Sequence, residues 1–377
     1  MEYITVKELF KITKGKKVEE IDYENENSIR YIQIDDLRNN NNIKHCENIN
    51  KYVIAKKEDI IIAWDGANAG TIGFGIEGAI GSTLAILRKE NKEMDTEFCG
   101  LFLRSKSAYL REKCTGATIP HIQRTALEDI KIPKISLNKQ IEIKNIINKA
   151  QELIDKRKEQ IEALDELVKS QFIKMFGDEH NKIPIGDLCS IKARIGWQGL
   201  TRKEYLQEGN YRLVTGVDFK NGKVDFERCY YVTKDRYEQD ENIKVKVGDV
   251  LVTKDGTIGK VAIVDKVDIP ATLNSGVFVV RDITGKLNNI FLVNALLSDD
   301  FKRFVDNIKV GATVPHLNQG TFVKYEIPVP PIELQSQFAD FAKQVDKLKF
   351  EMEKSLKELE DNFNSLMQKA FKGELFN

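Results

Sequence analysis

A short motif occurs twice in this chain, 195 residues apart, and this duplication constrains the fold more than any other feature. Residues 116–122 read GATIPHI, and residues 311–317 read GATVPHL. An Ile-Pro pair and a Gln follow each copy at the same offset, at 132, 133 and 140 and again at 327, 328 and 335. A repeat of this size predicts internal pseudo-symmetry. A pseudo-symmetric molecule can read two half-sites of a two-fold target, and duplex DNA is the commonest such target.

The bulk composition limits the class of protein. With 377 residues the chain can form two or three domains, each with its own core. The 58 basic and 58 acidic residues balance, which counts against tight DNA binding by the chain alone and leaves room for partners that supply phosphate contacts. No apolar run approaches the roughly 20 residues that a membrane-spanning helix needs. We therefore expect no association with a membrane.

The cysteines and the N-terminus indicate the compartment. The five cysteines are scattered, without a CxxC pair or a matching His spacing. This pattern argues against a zinc site and favours a reducing, cytoplasmic setting. The first residues also lack the basic and apolar regions of a signal peptide. We expect a cytoplasmic protein that holds no metal.

Each repeat begins with a mixed β/α pattern. Residues 29–37 alternate apolar and polar side chains, as a half-buried strand does, and residues 211–219 match them. Residues 59–66 read as a buried strand closed by an Asp-Gly turn, and residues 248–256 repeat that order. Helical spacing follows in both copies, at 98–111 and 291–304.

Both repeats end in a long charged stretch with apolar residues at steps of three and four, the a/d spacing of a coiled coil. The first seam includes Ile147, Ile154, Ile161, Leu164 and Val168, and the second includes Val345, Met352, Leu359 and Leu366. Only Lys349 interrupts the second seam. Two matched seams in one chain predict helices that pack on each other. A single long helix used for homodimerisation is the alternative, and the two arrangements are compatible.

These patterns predict an α+β fold. Two tandem, pseudo-symmetric mixed β/α domains are separated by two long helices packed as an antiparallel coiled coil. We expect the domains at residues 1–137 and 178–332, and the helices at 138–177 and 333–377.

The order of elements resembles the specificity (S) subunit of Type I restriction–modification systems, over the whole chain. The resemblance rests on the paired GATIPH and GATVPH segments, the Ile-Pro pairs with their Gln, the strand–turn segments DIIIAWDG and DVLVTKDG, and the two heptad seams. It implies a non-catalytic subunit without a cofactor, in which each domain is a target recognition domain for one half of a bipartite DNA sequence. It also implies that the helices bind two DNA methyltransferase (M) subunits, and that restriction/translocase (R) subunits join for cleavage.

Two loop regions in each unit offer side chains suited to DNA. Arg and Lys suit guanine and phosphate, whereas Asn and Gln suit adenine. The basic loops contain Lys14, Lys16 and Lys17 in the first unit and Lys192, Arg194, Trp197, Gln198 and Arg202 in the second. The repeated turns add Gln123 and Arg124, and Asn318 and Gln319. The alternatives are a solvated loop with a core Trp for the basic loops, and a structural turn between domain and helix for the repeated motif.

Other readers of DNA and other functions stay open at this point. The segments 64–66 and 254–257 are expected to close β-turns, while the loops 38–44, 220–223 and 228–236 are further candidates that the sequence does not rank. No Asn-Pro-Pro-aromatic tetrapeptide of an amino-methyltransferase occurs. One alternative function is the specificity partner of a fused nuclease–methyltransferase. Another is a coiled-coil scaffold or adaptor without a nucleic-acid role.

Overall fold

The structure, a computed structural model, describes residues 2–22, 24–90, 93–116, 118–310, 315–372 and 374–375. The first four residues of the second turn motif, 311–314, therefore lie outside the described residues. The chain divides into two compact units: unit 1 comprises residues 1–158 and 354–377, and unit 2 comprises residues 159–353. The domain boundaries expected from the sequence, which give each long helix a segment of its own, stay predictions.

Unit 1 combines short strands with helices of very different length. Its strands are β1 (Glu2–Thr5), β2 (Phe10–Lys14), β3 (Ser28–Ile32), β4 (Lys44–Glu47), β5 (Ile54–Ala55), β6 (Ile60–Ala63), β7 (Ile72–Phe74), β8 (Gly78–Ile80), β9 (Leu84–Lys89) and β10 (Lys131–Lys134). Its helices are α1 (Val6–Leu9), α2 (Thr96–Ser105), α3 (Ser107–Glu112), α4 (Arg124–Glu128) and the first part of α5 (Leu137–Phe176), and residues 354–372 of the last long helix also belong to it.

Unit 2 repeats this plan. Its strands are β11 (Lys182–Pro184), β12 (Cys189–Lys192), β13 (Arg212–Val214), β14 (Phe219–Lys220), β15 (Lys223–Val224), β16 (Tyr230–Tyr231), β17 (Val250–Thr253), β18 (Val261–Ile263), β19 (Ala271–Leu273), β20 (Val277–Asp282) and β21 (Glu326–Pro328). Its helices are the last part of α5, α6 (Ile185–Leu188), α7 (Lys234–Glu238), α8 (Asn289–Leu297), α9 (Asp299–Lys309), α10 (Gln319–Phe322) and the first part of α11 (Ile332–Lys372).

The sheet topology carries the duplication. In unit 1 the order β2-β9-β6-β7 forms an antiparallel sheet, and unit 2 has β12-β20-β17-β18 in the matching places. A second sheet in each unit contains one parallel pair, β3 with β8 and β13 with β19. The central strands β6 and β17 are buried throughout, as continuous apolar strands require. The predicted α+β class and the internal repeat are confirmed.

The repeated Ile-Pro pairs lie in two-stranded antiparallel sheets. Ile132 of β10 pairs with Ile4 of β1, and Ile327 of β21 pairs with Ile183 of β11. Both Ile132 and Ile327 are completely buried. A two-stranded sheet has only edge strands, so a Pro that lacks an N–H donor is tolerated there.

The long helices pair antiparallel within each unit. In unit 1, residues Ile143 and Ile147 near the start of α5 share a core with Phe371 near the end of α11, and Lys158 forms an ion pair with Glu360 at 3.0 Å. In unit 2 the end of α5 likewise meets the start of α11. Phe172 of α5 lies 5.3 Å from Phe338 of α11, ring centre to ring centre.

The one interruption of the predicted seam has a partner. Lys349 Nζ contacts both carboxylate oxygens of Asp165, at 2.6 and 2.7 Å, inside unit 2. Its side chain is only 15% exposed, so its methylene groups stay in the seam while the ammonium group reaches the rim. A polar residue of this kind in a coiled coil favours one register over its neighbours.

The repeated Gln residues join each domain to its long helix. Gln140 is completely buried, and its Oε1 accepts from the Asp95 N–H at 2.7 Å while its Nε2 donates to Ile135 O at 2.7 Å. Gln335 is equally buried and makes the same pair of bonds, from the Asn288 N–H at 2.9 Å and to Pro330 O at 2.8 Å. Asp95 and Asn288 are the N-cap residues of α2 and α8, so the bonds fix the start of a domain helix against a long helix.

Gln335→Met is expected to lower the free energy of unfolding of unit 2 by about 1–3 kcal/mol, because it keeps the shape of the buried side chain but leaves the partly buried Asn288 N–H without an acceptor. Gln337→Met is the matched control, since Gln337 lies on the same helix and is exposed. Urea denaturation of both variants measures the difference. Equal stabilities would contradict the structural role of the buried Gln.

Two predicted elements are shorter in the structure than the sequence pattern suggested. The strand expected at 29–37 ends at Ile32 and the strand expected at 211–219 ends at Val214. In each case an Asp three residues downstream bonds back to a backbone N–H, Asp36 to Gln33 and Asp218 to Thr215, both at 2.7 Å. Such local side-chain bonds compete with the strand ladder and close a turn instead.

The helical stretches at 98–111 and 291–304 are each divided in two. The break falls at Lys106 in unit 1 and at Ser298 in unit 2. The Ser298 hydroxyl accepts from the Phe301 N–H and so caps a new helix.

Candidate DNA interface

In unit 1 three regions that are far apart in the sequence meet at one end of the first sheet. Lys14, the last residue of β2, forms an ion pair with Asp65 at 2.7 Å. Asp65 belongs to the turn after β6, and the Gly66 N–H of that turn donates to Pro120 O at 2.8 Å. The Ile122 N–H donates to Trp64 O at 2.9 Å. The basic loop, the Asp-Gly turn and the repeated turn motif therefore form one surface.

Unit 2 builds the same frame with equivalent residues. The Leu317 N–H donates to Lys254 O at 2.9 Å, which corresponds to the bond between Ile122 and Trp64. Gln319 Nε2 donates to Ile191 O at 3.0 Å and so joins the turn motif to the end of β12. The prediction that the Asp-Gly segments close turns fits this frame, since Gly66 and Gly256 have positive φ angles of 95° and 69°.

The polar side chains on the frame differ between the units. In unit 1, His121 Nε2 bonds with Thr115 Oγ1 at 2.8 Å, and Asp65 faces Lys14. In unit 2, His316 bonds instead with Asp255. A shared backbone frame with different side chains is the arrangement expected of two domains that read different sequences.

Six of the predicted DNA-binding residues are well placed for a ligand. All six are exposed residues at this end of the sheet of their unit. They are Lys16, Lys17 and Gln123 in unit 1, and Lys192, Trp197 and Arg202 in unit 2. Trp197 is 78% exposed, so the alternative of a core Trp is wrong.

Four other predicted residues have partners within the chain. Lys14 pairs with Asp65, as above, and Arg124 pairs with Glu128 one helical turn later at 2.7 Å. Asn318 caps α10 by accepting from the Thr321 N–H at 2.8 Å, and Gln319 donates to Ile191 O. These residues hold the frame, and contact with DNA would have to share or replace the bonds.

The structure corrects the assignment of Arg194 and Gln198 as direct DNA contacts. Arg194 is 1% exposed, and its guanidinium donates to Leu273 O at 3.0 Å and to Thr272 Oγ1 at 3.2 Å. It also donates to Gln239 Oε1 at 3.0 Å and to Arg236 O at 3.2 Å. Burial lowers the pKa of Arg194 from its ordinary value. Gln198 is buried as well, so neither side chain is presented to a ligand.

A second set of contacts orders the far side of the same loop. The Thr201 N–H donates to Glu204 Oε2 at 2.8 Å, and Arg236 Nε donates to Glu204 Oε1 at 2.7 Å. The bond from the Thr201 backbone, followed by that from Arg236, holds the pKa of Glu204 at about 2. The loop is thus fixed by side chains at both ends.

The hairpin at 219–224, one of the further candidate loops, contacts a helix. Asn221 and Gly222 both have positive φ, the geometry of a tight two-residue turn. Lys223 forms an ion pair with Asp346 of α11 at 2.8 Å. Its position in unit 2 is therefore explained by packing on the helix.

The sequence reasoning did not identify an ion pair between a buried Asp and a partly exposed Arg that occurs in both units. Asp59, completely buried, accepts from Arg88 Nε at 2.9 Å, and Asp249 accepts from Arg281 Nε at 2.7 Å. Each Asp also accepts from a backbone N–H three residues earlier, that of Lys56 or Lys246. The signal was present, because both members of the pair recur at nearly the repeat offset.

Comparisons with known proteins show which family the chain belongs to. Residues 1–163 and 178–361 match the protein family described as Type I restriction modification DNA specificity domain. The chain belongs to this family. Its relatives include the Type I restriction enzyme MjaVIII specificity subunit of Methanocaldococcus jannaschii, 28% identical over 99% of this chain and 92% of that protein. The EcoBI specificity subunit of Escherichia coli is 19% identical over 99% of this chain and 85% of that protein.

Solved structures show the same fold. A structure that addresses complex assembly and conformational transition of the type I R-M system has a TM-score of 0.63 at 15% identity, covering 99% of this chain and 98% of that one. The S subunit of the Type I restriction–modification system from M. genitalium has a TM-score of 0.55 at 18% identity, covering 98% and 96%.

Membership of the family assigns the chain a role in recognising DNA sequence, and it does not favour the scaffold or the partner of a fused nuclease–methyltransferase. Within the described ranges, no group of three or more His, Cys, Asp or Glu side chains is placed to hold a metal ion. No helix in those ranges is long and apolar enough to cross a membrane.

Proposed function

We propose that this chain is the non-catalytic recognition subunit of a Type I restriction–modification complex, and that each unit reads one half of a bipartite DNA target. The duplication carries the proposal. Both units have the same order of four sheet strands, the same pair of a buried Asp with an Arg, the same Gln contact and the same turn frame. Their exposed side chains at the frame differ, as two different half-sites require.

The proposed contacts to DNA are the exposed polar residues on the frame. In unit 1 they are Lys16, Lys17 and Gln123, and in unit 2 they are Lys192 and Arg202. Lys and Arg at such positions would bind phosphates or guanine, whereas Gln123 would suit adenine. So small a basic surface fits a subunit whose partners supply further phosphate contacts.

The proposed partners are two methyltransferase subunits and the restriction/translocase subunits, bound through the long helices. Apolar residues outside the seam support this. In unit 2, Ile173 of α5 and Phe350 of α11 are 62% and 64% exposed, and Leu167 and Leu348 are also exposed. Large apolar side chains this exposed on a charged helix are typical of a protein–protein contact. Such a complex would act on cellular DNA in the cytoplasm.

The test is a methylome. The chain is expressed with its cognate methyltransferase in a host without DNA modification, and the genome is sequenced with detection of modified bases. We expect a split motif with a fixed unread gap, present only when both proteins are expressed. Methylation that does not depend on this chain would contradict the proposal.

Exchanging residues 1–137 for the matching domain of a relative is expected to change one half of that motif and leave the other half intact, because each unit has its own frame and readers. The reciprocal exchange of residues 178–332 is the matched control, and it should change the other half. The same methylome measurement decides. A change in both halves, or in neither, would show that the units do not read separately.

A further inference from the structure

Unit 2 presents an unusually exposed apolar pair at the candidate DNA interface. Trp197 is 78% exposed and Ile195, two residues before it, is 49% exposed. Trp197 occupies the middle of a short 3-10 helix, Gly196–Gln198, immediately after strand β12 and its basic end. Exposure of the apolar indole ring to water is unfavourable. A tryptophan held exposed in the free protein therefore suggests a ligand that covers it.

The loop under Trp197 is held firmly. Arg194 fills the space beneath the loop with four hydrogen bonds, to Leu273, Thr272, Gln239 and Arg236. Glu204 fixes the far end through Thr201 and Arg236, as described above. Because the support is already in place, ordering the loop would cost little when a ligand binds.

The charge around the indole selects the chemistry of that ligand. Residues 192–203, KARIGWQGLTRK, contain four basic residues and no acidic residue. Arg194 is buried, and the other three (Lys192, Arg202 and Lys203) are exposed. Among the described residues none of these three is recorded in an ion pair, which leaves them available to phosphate. An exposed apolar group that is flanked along the chain by unpaired cations suits a nucleic acid, whose bases stack on aromatic rings while its phosphates bind cations.

Gly196 supplies an independent observation. Its φ is not in the left-handed region, and a Cβ built on it would meet no atom within 4 Å. The fold therefore does not require glycine at this position. The missing side chain leaves open space beside Trp197, as it does where a ligand approaches the backbone closely.

We propose that Trp197, with Ile195, inserts against one base step of the half-site read by unit 2 and unstacks it, while the flanking cations bind the adjacent phosphates. This inference rests on the proposed function and deepens it. Apolar side chains that enter a base step in this way bend the duplex locally and make the sequence of that step matter through its deformability. Trp197 lies five residues after the end of β12, and unit 1 has Glu19 at the same distance after the end of β2, so the inference concerns the half-site of unit 2.

The experiment uses the complex of the full chain with its cognate methyltransferase and a duplex that carries the methylome motif. 2-Aminopurine replaces one base at a time along both half-sites, and its fluorescence rises where a base is unstacked. Apart from the bases that the methyltransferase flips out of the duplex in either half-site, we expect a rise at one step of the unit 2 half-site only. Trp197→Ala should abolish the rise at that step and weaken binding between about 5-fold and about 150-fold, the range for loss of one base–aromatic stack.

Two further variants separate DNA contact from folding. A Cβ at position 196 meets no atom within 4 Å, so Gly196→Leu should keep the melting temperature of the protein, but its side chain would occupy the space proposed for DNA and lower the affinity. In the pair of β12 and β20, Lys192 lies at the end from which the loop of Trp197 starts, and Cys189 lies at the opposite end. Ile283→Ala removes an exposed apolar residue at the Cys189 end and serves as the control. It should bind DNA as the unaltered complex does.

Each outcome bears on one claim. Unchanged affinity and no unstacking signal, in a complex that still distinguishes the motif from a scrambled duplex, would overturn the role of Trp197 and leave the proposed function intact. Weaker binding of Trp197→Ala to the methyltransferase, with DNA binding unaffected, would assign the indole to a protein contact and also overturn the inference. The absence of any motif that depends on this chain would overturn both proposals.

Discussion

Phe338→Ala is expected to lower the free energy of unfolding of unit 2 by about 3–5 kcal/mol, because it removes a ring from the aromatic cluster that joins the start of α11 to the end of α5. Phe338 is completely buried, and its ring lies 5.3 Å from that of Phe172 and 5.7 Å from that of Phe176. Both partners belong to α5, and both also contact Phe291 of α8. Removing one ring therefore weakens helix pairing and the attachment of the domain together.

The measurement is urea denaturation, with hydrogen exchange over residues 332–353 to assign the transition to unit 2. Phe350→Ala is the control, since Phe350 lies on the same helix and is 64% exposed. A surface truncation of this kind should change stability by no more than about 0.5 kcal/mol. If the two variants were equally stable, the antiparallel pairing inside unit 2 would be wrong.

Arg281→Met is expected to lower the free energy of unfolding of unit 2 by about 3–5 kcal/mol as well, because it leaves the buried carboxylate of Asp249 without its counter-ion. Arg281 donates to both oxygens of Asp249 at 2.7 Å, and further to Asn242 O at 2.8 Å and Lys244 O at 2.6 Å. The Arg281 side chain is 25% exposed and that of Asp249 is 5% exposed, so solvent screens the pair only weakly. The loss comes from one unpaired charge and two carbonyl groups without donors.

Two variants place this loss in context. Arg88→Met removes the equivalent residue of unit 1, whose side chain is 41% exposed, and should cost less because water reaches the pair. The double variant Asp249→Asn with Arg281→Met should lose less free energy of unfolding than the two single variants lose together, because the unpaired charge is gone. A fully additive double variant, measured by the same denaturation, would contradict a direct interaction between the two side chains.

Much of the candidate site was within reach of the sequence, because the repeat marks it twice. The basic loops, the Asp-Gly turns and the turn motifs were each identified as recurring segments, and the structure brings them together in both units through bonds such as Gly66 N–H to Pro120 O. The sequence did not predict which of these side chains face solvent. A loop has no periodicity that separates an inner from an outer face, so Arg194 and Trp197 looked alike as candidates.

The amino-acid sequence by itself determined the duplicated α+β architecture and the paired seams, because these follow from periodicity and from motifs that are local along the chain, and the resemblance of those motifs indicated the family. Only the tertiary structure decided that Arg194 is buried while Trp197 is exposed, that Lys349 has Asp165 as its partner, and that each repeated Gln joins a long helix to a domain. The physical reason is distance along the chain. The acceptor Leu273 lies 79 residues from Arg194, and Asp165 lies 184 residues from Lys349, so folding alone brings these groups together.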